Sequence, residues 1–108
     1  MKLGVILQSN NPEHVWNSFR FCITALKAGH SVITFLLNEG SELESIEDTE
    51  KYDISKKVDE YRDLGGKILA CGTCLKSRDK EGSEMCPVST MQDLLKLVEE
   101  SDKVLVFS

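Results

Sequence analysis

Apolar residues along this chain fall into short continuous runs that alternate with stripes at helical spacing. Leu3-Gly4-Val5-Ile6-Leu7, Ser31-Val32-Ile33-Thr34-Phe35-Leu36-Leu37, Ile68-Leu69-Ala70 and Lys103-Val104-Leu105-Val106-Phe107 are the runs. Near-continuous apolar character of this length predicts strands covered on both faces. Between them, Val15, Phe19, Cys22, Ile23 and Leu26 share one helical stripe, as do Ile54, Val58, Tyr61 and Leu64, and then Met91, Leu94, Leu95 and Val98. Asn11 before Pro12 predicts the start of the first helix and Gly29 its end. Gly65-Gly66 closes the second helix, and Ser89 with Gln92 has the spacing of a capping box for the last one. Strands alternating with helices predict an α/β fold, a three-layer sandwich with a mainly parallel sheet and helices on both faces.

Two stretches lack such a period. From Ser41 to Tyr52 the chain is acidic and polar, which predicts a solvated surface loop with at most a short helical turn. Because it leaves a strand's carboxyl end, it is also placed to hang over a site there. Glu84-Met85-Cys86-Pro87-Val88 reads as extended or irregular, since Pro87 disfavours helix at Cys86. On the first helix, His14, Ser18, Phe21, Ala25 and Ala28 make a second stripe free of charge, which predicts a contact beyond the helix's own sheet, centred on Phe21.

At 108 residues the chain is expected to form one domain, residues 1–108. Hydrophobic residues make up 41% and charged residues 29%, and no apolar run approaches the ~18 residues of a membrane span. The net charge of −5, with no basic stripe, argues against nucleic acid held through its phosphates. The amino-terminal run lacks the longer apolar core and small-residue cleavage site of a secretory signal, so a cytoplasmic location is expected. In that reducing setting the four cysteines point to catalytic, redox or metal chemistry rather than to a disulfide framework.

The chemistry concentrates at Ile68-Leu69-Ala70-Cys71-Gly72-Thr73-Cys74-Leu75. A strand flanked by glycines runs into a dithiol, which places Cys71 at the sheet's carboxyl edge, where open α/β sheets bind ligands. If a helix begins there, its free N–H groups and dipole favour a thiolate at Cys71, and Lys76 and Arg78 add positive charge. Cys74, three residues on, shares the helical face and can close an internal disulfide with Cys71. Zinc would draw on Cys71, Cys74 and Cys86, but a fourth ligand is missing: Cys22, His14 and His30 all belong to the first helix or its ends. A thioredoxin-type motif would sit earlier in its fold. Sulfur transfer, dithiol redox and ligand binding remain open on spacing alone, and none of them calls for a cofactor.

The Cys71-Gly72-Thr73-Cys74-Leu75 string after Ile68-Leu69-Ala70 resembles the DsrE/DsrF-like family of small sulfur-relay proteins, in particular its TusD-like and YedF-like members. The likeness extends to Ala25-Leu26-x-Ala28-Gly29-His30, Phe35-x-x-x-Glu39-Gly40 and Ser101-Asp102-Lys103-Val104. It implies a flavodoxin-like domain, homo-oligomers of three or six subunits, and a cysteine at position 71 that receives sulfur as a persulfide from a donor protein and passes it to an acceptor protein. Gly72 and Thr73 would supply backbone N–H groups and room for a close approach, with Lys76, Arg78 and Cys86 around them. Cys74 stands where TusD-like members typically carry another residue. The alternatives are a dithiol/disulfide module using Cys71 and Cys74, or a non-catalytic subunit of a sulfur-relay complex.

Overall fold

A computed structural model describes residues 1–108. The elements are β1 (Lys2–Leu7), α1 (Pro12–Lys27), β2 (Ser31–Leu36), a 3₁₀ helix (Asn38–Ser45), α2 (Ile54–Asp63), β3 (Lys67–Cys71), α3 (Gly72–Ser77), β4 (Val88–Ser89), α4 (Met91–Glu100) and β5 (Lys103–Phe107). The five strands form one sheet in the order β4-β3-β2-β1-β5, and every pairing is parallel. The expected α/β sandwich is therefore present, with a sheet parallel throughout.

The topology follows from crossover handedness. From β1 the chain winds outward through β2 and β3 to β4, then returns to the far side of β1 as β5. Right-handed crossovers in opposite directions put their helices on opposite faces. Accordingly α1 and α2 pack together over one face, and α4 covers the other. Leu3, Val5, Leu7, Val32, Leu36, Ile68 and Ala70 meet Val15, Phe19, Cys22 and Ile23 of α1 and Ile54, Val58 and Tyr61 of α2 in the main core. Beneath α4 the core is smaller, built on Phe35, Cys71 and Leu97.

Local signals act as the sequence suggests at α1, where the Asn11 side chain accepts from the backbone of Glu13 and His14 and Pro12 opens the helix. They shift at α4. Its cap is Thr90, whose hydroxyl accepts from the Asp93 N–H while the Asp93 carboxylate accepts from the Thr90 N–H. Ser89 is unable to serve because it pairs with Cys71 as the end of β4, a strand too short to show a period. The segment after β2 also departs from expectation, since Asn38–Ser45 is an eight-residue 3₁₀ helix with Leu43 buried in the main core.

The expected free stripe on α1 is narrower than its spacing implies. Ser18 and Ala25 are buried, because β5 extends the sheet beneath that flank, where Phe107 stacks against Phe21 at 6.2 Å. Phe21 itself stays 45% exposed. Of the expected α4 stripe, Met91, Leu95 and Val98 are exposed and Leu94 is half-buried. The one buried residue of the helix is Leu97, outside that stripe, because α4 turns its Leu94–Leu97 side to Phe35 and Cys71.

Tyr61 ties the two layers of the main core. Its ring packs edge-on against Phe19, and its buried hydroxyl donates to the Lys67 carbonyl at 2.6 Å and lies 3.1 Å from Thr34 Oγ1. Removing the hydroxyl leaves the carbonyl at the start of β3 without its donor. Tyr61→Phe is therefore expected to lower stability by about 1–2 kcal/mol, seen as a lower urea midpoint at unchanged slope, and an unchanged midpoint would contradict this role.

Candidate functional site

The main chain leaves β3 at Cys71 and enters α3 at once. Cys71 has extended backbone (φ −60°, ψ 116°), and its Sγ accepts the Cys74 N–H at 3.4 Å, so the sulfur itself caps the helix. Alternation along β3 decides its direction: Ile68 and Ala70 point to the α1/α2 face, Leu69 and Cys71 to the α4 face. There Phe35 and Leu97 cover Cys71, leaving it 4% exposed. The sequence leads one to expect a freely reachable sulfur, and the cover supplied by α4 makes the difference.

Gly72 follows with its own close approach. A Cβ at this position would lie 3.0 Å from Val88 Cγ1 and 3.3 Å from the Ser89 carbonyl. The room anticipated for a partner is thus occupied by β4. Thr73 is exposed, and its carbonyl accepts from Ser77 Oγ at 2.9 Å.

Cys74 is half-buried, more open than Cys71. Its Sγ accepts the backbone N–H of Asn38 at 3.3 Å. Asn38 has φ +52°, a left-handed conformation that asparagine tolerates better than most side chains, and its side-chain amide donates to Gln8 Oε1 at 2.7 Å. Burial raises the Cys74 thiol above its ordinary value, and the neighbouring Cys71 sulfur raises it further. The Asn38 N–H and the Arg78 guanidinium pull the other way.

Arg78 joins the site through α3 rather than by reaching a sulfur. Its Nη1 donates to the Cys74 carbonyl at 3.1 Å and its Nε to Glu42 Oε2 at 2.8 Å. Hydrogen bonds from Arg78 and Asn10 hold the Glu42 carboxyl below its usual range. Lys76 is exposed and makes no such link. The acidic loop is therefore drawn onto α3 by Glu42, as its position at a strand's carboxyl end suggests.

Cys86 does not join the pair. It is 4% exposed in the main core, across the sheet from Cys71, and burial followed by the nearby Glu44 carboxylate pushes its thiol up to about 12. Cys22, on the same face, is pushed by burial up to about 11. No three His, Cys, Asp or Glu side chains are gathered so as to hold a metal ion. The functional neighbours that sequence reasoning passes over are Gln8, Asn38 and Glu42. Asn38 carries a faint signal, an asparagine just ahead of Gly40 at a strand end.

Comparison with known proteins bears on the family and the fold. The model of the DsrE/DsrF-like family matches residues 1–107. The chain belongs to the DsrE/DsrF-like family. It is 32% identical to the uncharacterised protein MJ0989 of Methanocaldococcus jannaschii, over 99% of this chain and 100% of that one. It is also 32% identical to the uncharacterised protein MK0008 of Methanopyrus kandleri, over 88% of this chain and 83% of the relative. Among solved structures, the ychN protein of E. coli superposes with a TM-score of 0.81 at 21% identity, covering 99% of this chain and all of that one. A Bacteroides thetaiotaomicron protein, BT1422, superposes with a TM-score of 0.77 at 16% identity, over 98% and 94%. The two superpositions support the fold, and membership of the DsrE/DsrF-like family points, at that level, to sulfur relay. No helix of this member is long and apolar enough to cross a membrane.

The four thiols should separate by reactivity. With a small thiol reagent at neutral pH, Cys74 reacts first, whereas Cys22 and Cys86 react only once denaturant opens the main core. Peptide mapping reads the order, and labelling of Cys86 as fast as Cys74 would contradict it.

Proposed function

We propose that this chain is a sulfur carrier, in which the Cys71–Cys74 dithiol accepts sulfane sulfur from a donor protein's persulfide and delivers it to an acceptor protein's thiol. Cys71 is the sulfur that holds it. The observation carrying this reading is the cap at Cys71: its Sγ already accepts a backbone N–H of α3, at the end of the helix where negative charge is favoured. Fixed donors aimed at a sulfur stabilise the charge that grows there as a persulfide forms or leaves. Family membership supports the same reaction class. Four free cysteines fit a reducing, cytoplasmic setting. The transfer needs only thiols and persulfides, so no cofactor enters it.

Self-association belongs to the same proposal. Phe21, Met91, Leu95, Val98 and Val106 are exposed apolar side chains on α1, α4 and β5. They support self-association with the interface on α1 at Phe21, and the family resemblance implies three or six copies.

The test is intact-mass measurement after incubation with a persulfide donor. An addition of about 32 Da is expected on the wild-type chain and is absent from a Cys71→Ser, Cys74→Ser double variant. An addition that survives in the double variant overturns the proposal. Loss of two hydrogens without sulfur uptake would instead assign a dithiol/disulfide module. In sedimentation equilibrium the same preparation is expected at three or six times the mass of one chain.

A further inference from the structure

We propose that Cys74, not Cys71, is the port at which sulfur arrives, and that Cys71 receives it from Cys74 in a second, internal transfer. The inference rests on the carrier reading above and assigns the order of events within the same dithiol. It follows from two geometrical facts. Cys71 is 4% exposed beneath Phe35 and Leu97, so a protein-borne persulfide meets hydrocarbon before it meets that sulfur. Cys74 is half-buried, and its Sγ is held at the 3₁₀ helix by the Asn38 N–H at 3.3 Å.

The surroundings of Cys74 are built rather than incidental. The left-handed turn at Asn38 directs that N–H, and the Asn38 side chain is clamped to Gln8 at the end of β1. The same turn of the 3₁₀ helix closes at Gly40, whose N–H donates to the Leu37 carbonyl at 2.9 Å and where a Cβ would run into the Leu7 carbonyl. No other side chain fits there, so the Asn38 donor is fixed relative to the sheet. From the other side, Arg78 holds the Cys74 carbonyl and is itself held by Glu42. Gln8, Asn38 and Glu42 are positioning residues in this scheme, acting through the Cys74 sulfur and α3.

The steps balance without an oxidant. The Cys74 thiolate attacks the outer sulfur of the donor persulfide, a new S–S bond forms at Cys74, and the donor's S–S bond breaks with its electron pair leaving on the donor thiolate. Cys71 then attacks the same outer sulfur. The bond to Cys74 breaks, the electron pair returns to the Cys74 sulfur under the Asn38 N–H, and the Cys71 proton passes to that sulfur. The products are a Cys71 persulfide and a Cys74 thiol. Delivery runs the same exchange in reverse: Cys74 takes the outer sulfur back from Cys71, and the acceptor thiolate then attacks it with the electron pair leaving on Cys74.

Rapid-quench loading with glutathione persulfide, followed by alkylation and peptide mapping, tests the order on the full chain. In the wild type, sulfur is expected on Cys74 first and on Cys71 later. Cys71→Ser should keep the adduct, stalled on Cys74, and Cys74→Ser should slow the loading of Cys71 at least tenfold. Loading of Cys71 at the wild-type rate in Cys74→Ser, or no adduct on Cys74 in Cys71→Ser, overturns the inference while leaving the carrier reading intact. A wild-type chain that takes up no sulfur at all overturns the carrier reading itself. The two serine variants are read independently, so a folding defect in one leaves the other decisive.

Discussion

The site depends on one local constraint: the last residue of β3 is also the cap of α3. A parallel sheet collects its strand ends along one edge, and at β3 the chain passes from extended to helical backbone within a single residue. The side chain at that residue is placed to accept a helix N–H, and here the acceptor is sulfur. Three residues later the first helical turn brings Cys74 to the same edge, where the chain leaving β2 supplies the Asn38 N–H. That second contact depends on Gly40 lying against the Leu7 carbonyl, an approach that any Cβ would prevent.

The two faces of the sheet sort the cysteines by chemistry. Cys22 and Cys86 lie in the main core with α1 and α2, where burial disfavours the thiolate. Cys71 and Cys74 lie toward α4, whose cover is thinner and whose outer surface exposes Met91, Leu95 and Val98 among charged residues. Strand alternation sends Cys71 to the α4 face, while Cys22 and Cys86 reach the other face from α1 and from the segment before β4. A zinc site built from Cys71, Cys74 and Cys86 is disfavoured for the same reason, since its third ligand is on the wrong side of the sheet.

Much of the fold is legible in the sequence because the strands and the first helix carry signals that agree at every level. Val5 and Leu7 are apolar and central, and Asn11-Pro12 both caps and starts α1. The errors have physical causes. Ser89 with Gln92 and Thr90 with Asp93 share the same spacing, and only the pairing of Ser89 with Cys71 decides between them. β4 is two residues long, recognisable from its partner and not from its own pattern. Within the site, Cys71 and Cys74 stand out by residue type, whereas Asn38 acts through a backbone N–H that every residue but proline possesses. Its role is created by a turn, which a spacing argument does not see. The burial of Cys71 likewise depends on where α4 lies, a tertiary fact.

The coupling of Cys74 to the Asn38 amide is the central claim, and a nuclear magnetic resonance titration of cysteine-labelled and amide-labelled chain measures it most directly. The account predicts that Cys74 loses its proton above the ordinary thiol range and that the Asn38 amide resonance moves with the same midpoint, as the sulfur it donates to gains charge. An Asn38 amide that stays still while Cys74 titrates, or a Cys74 that ionises below the ordinary thiol range, would contradict it.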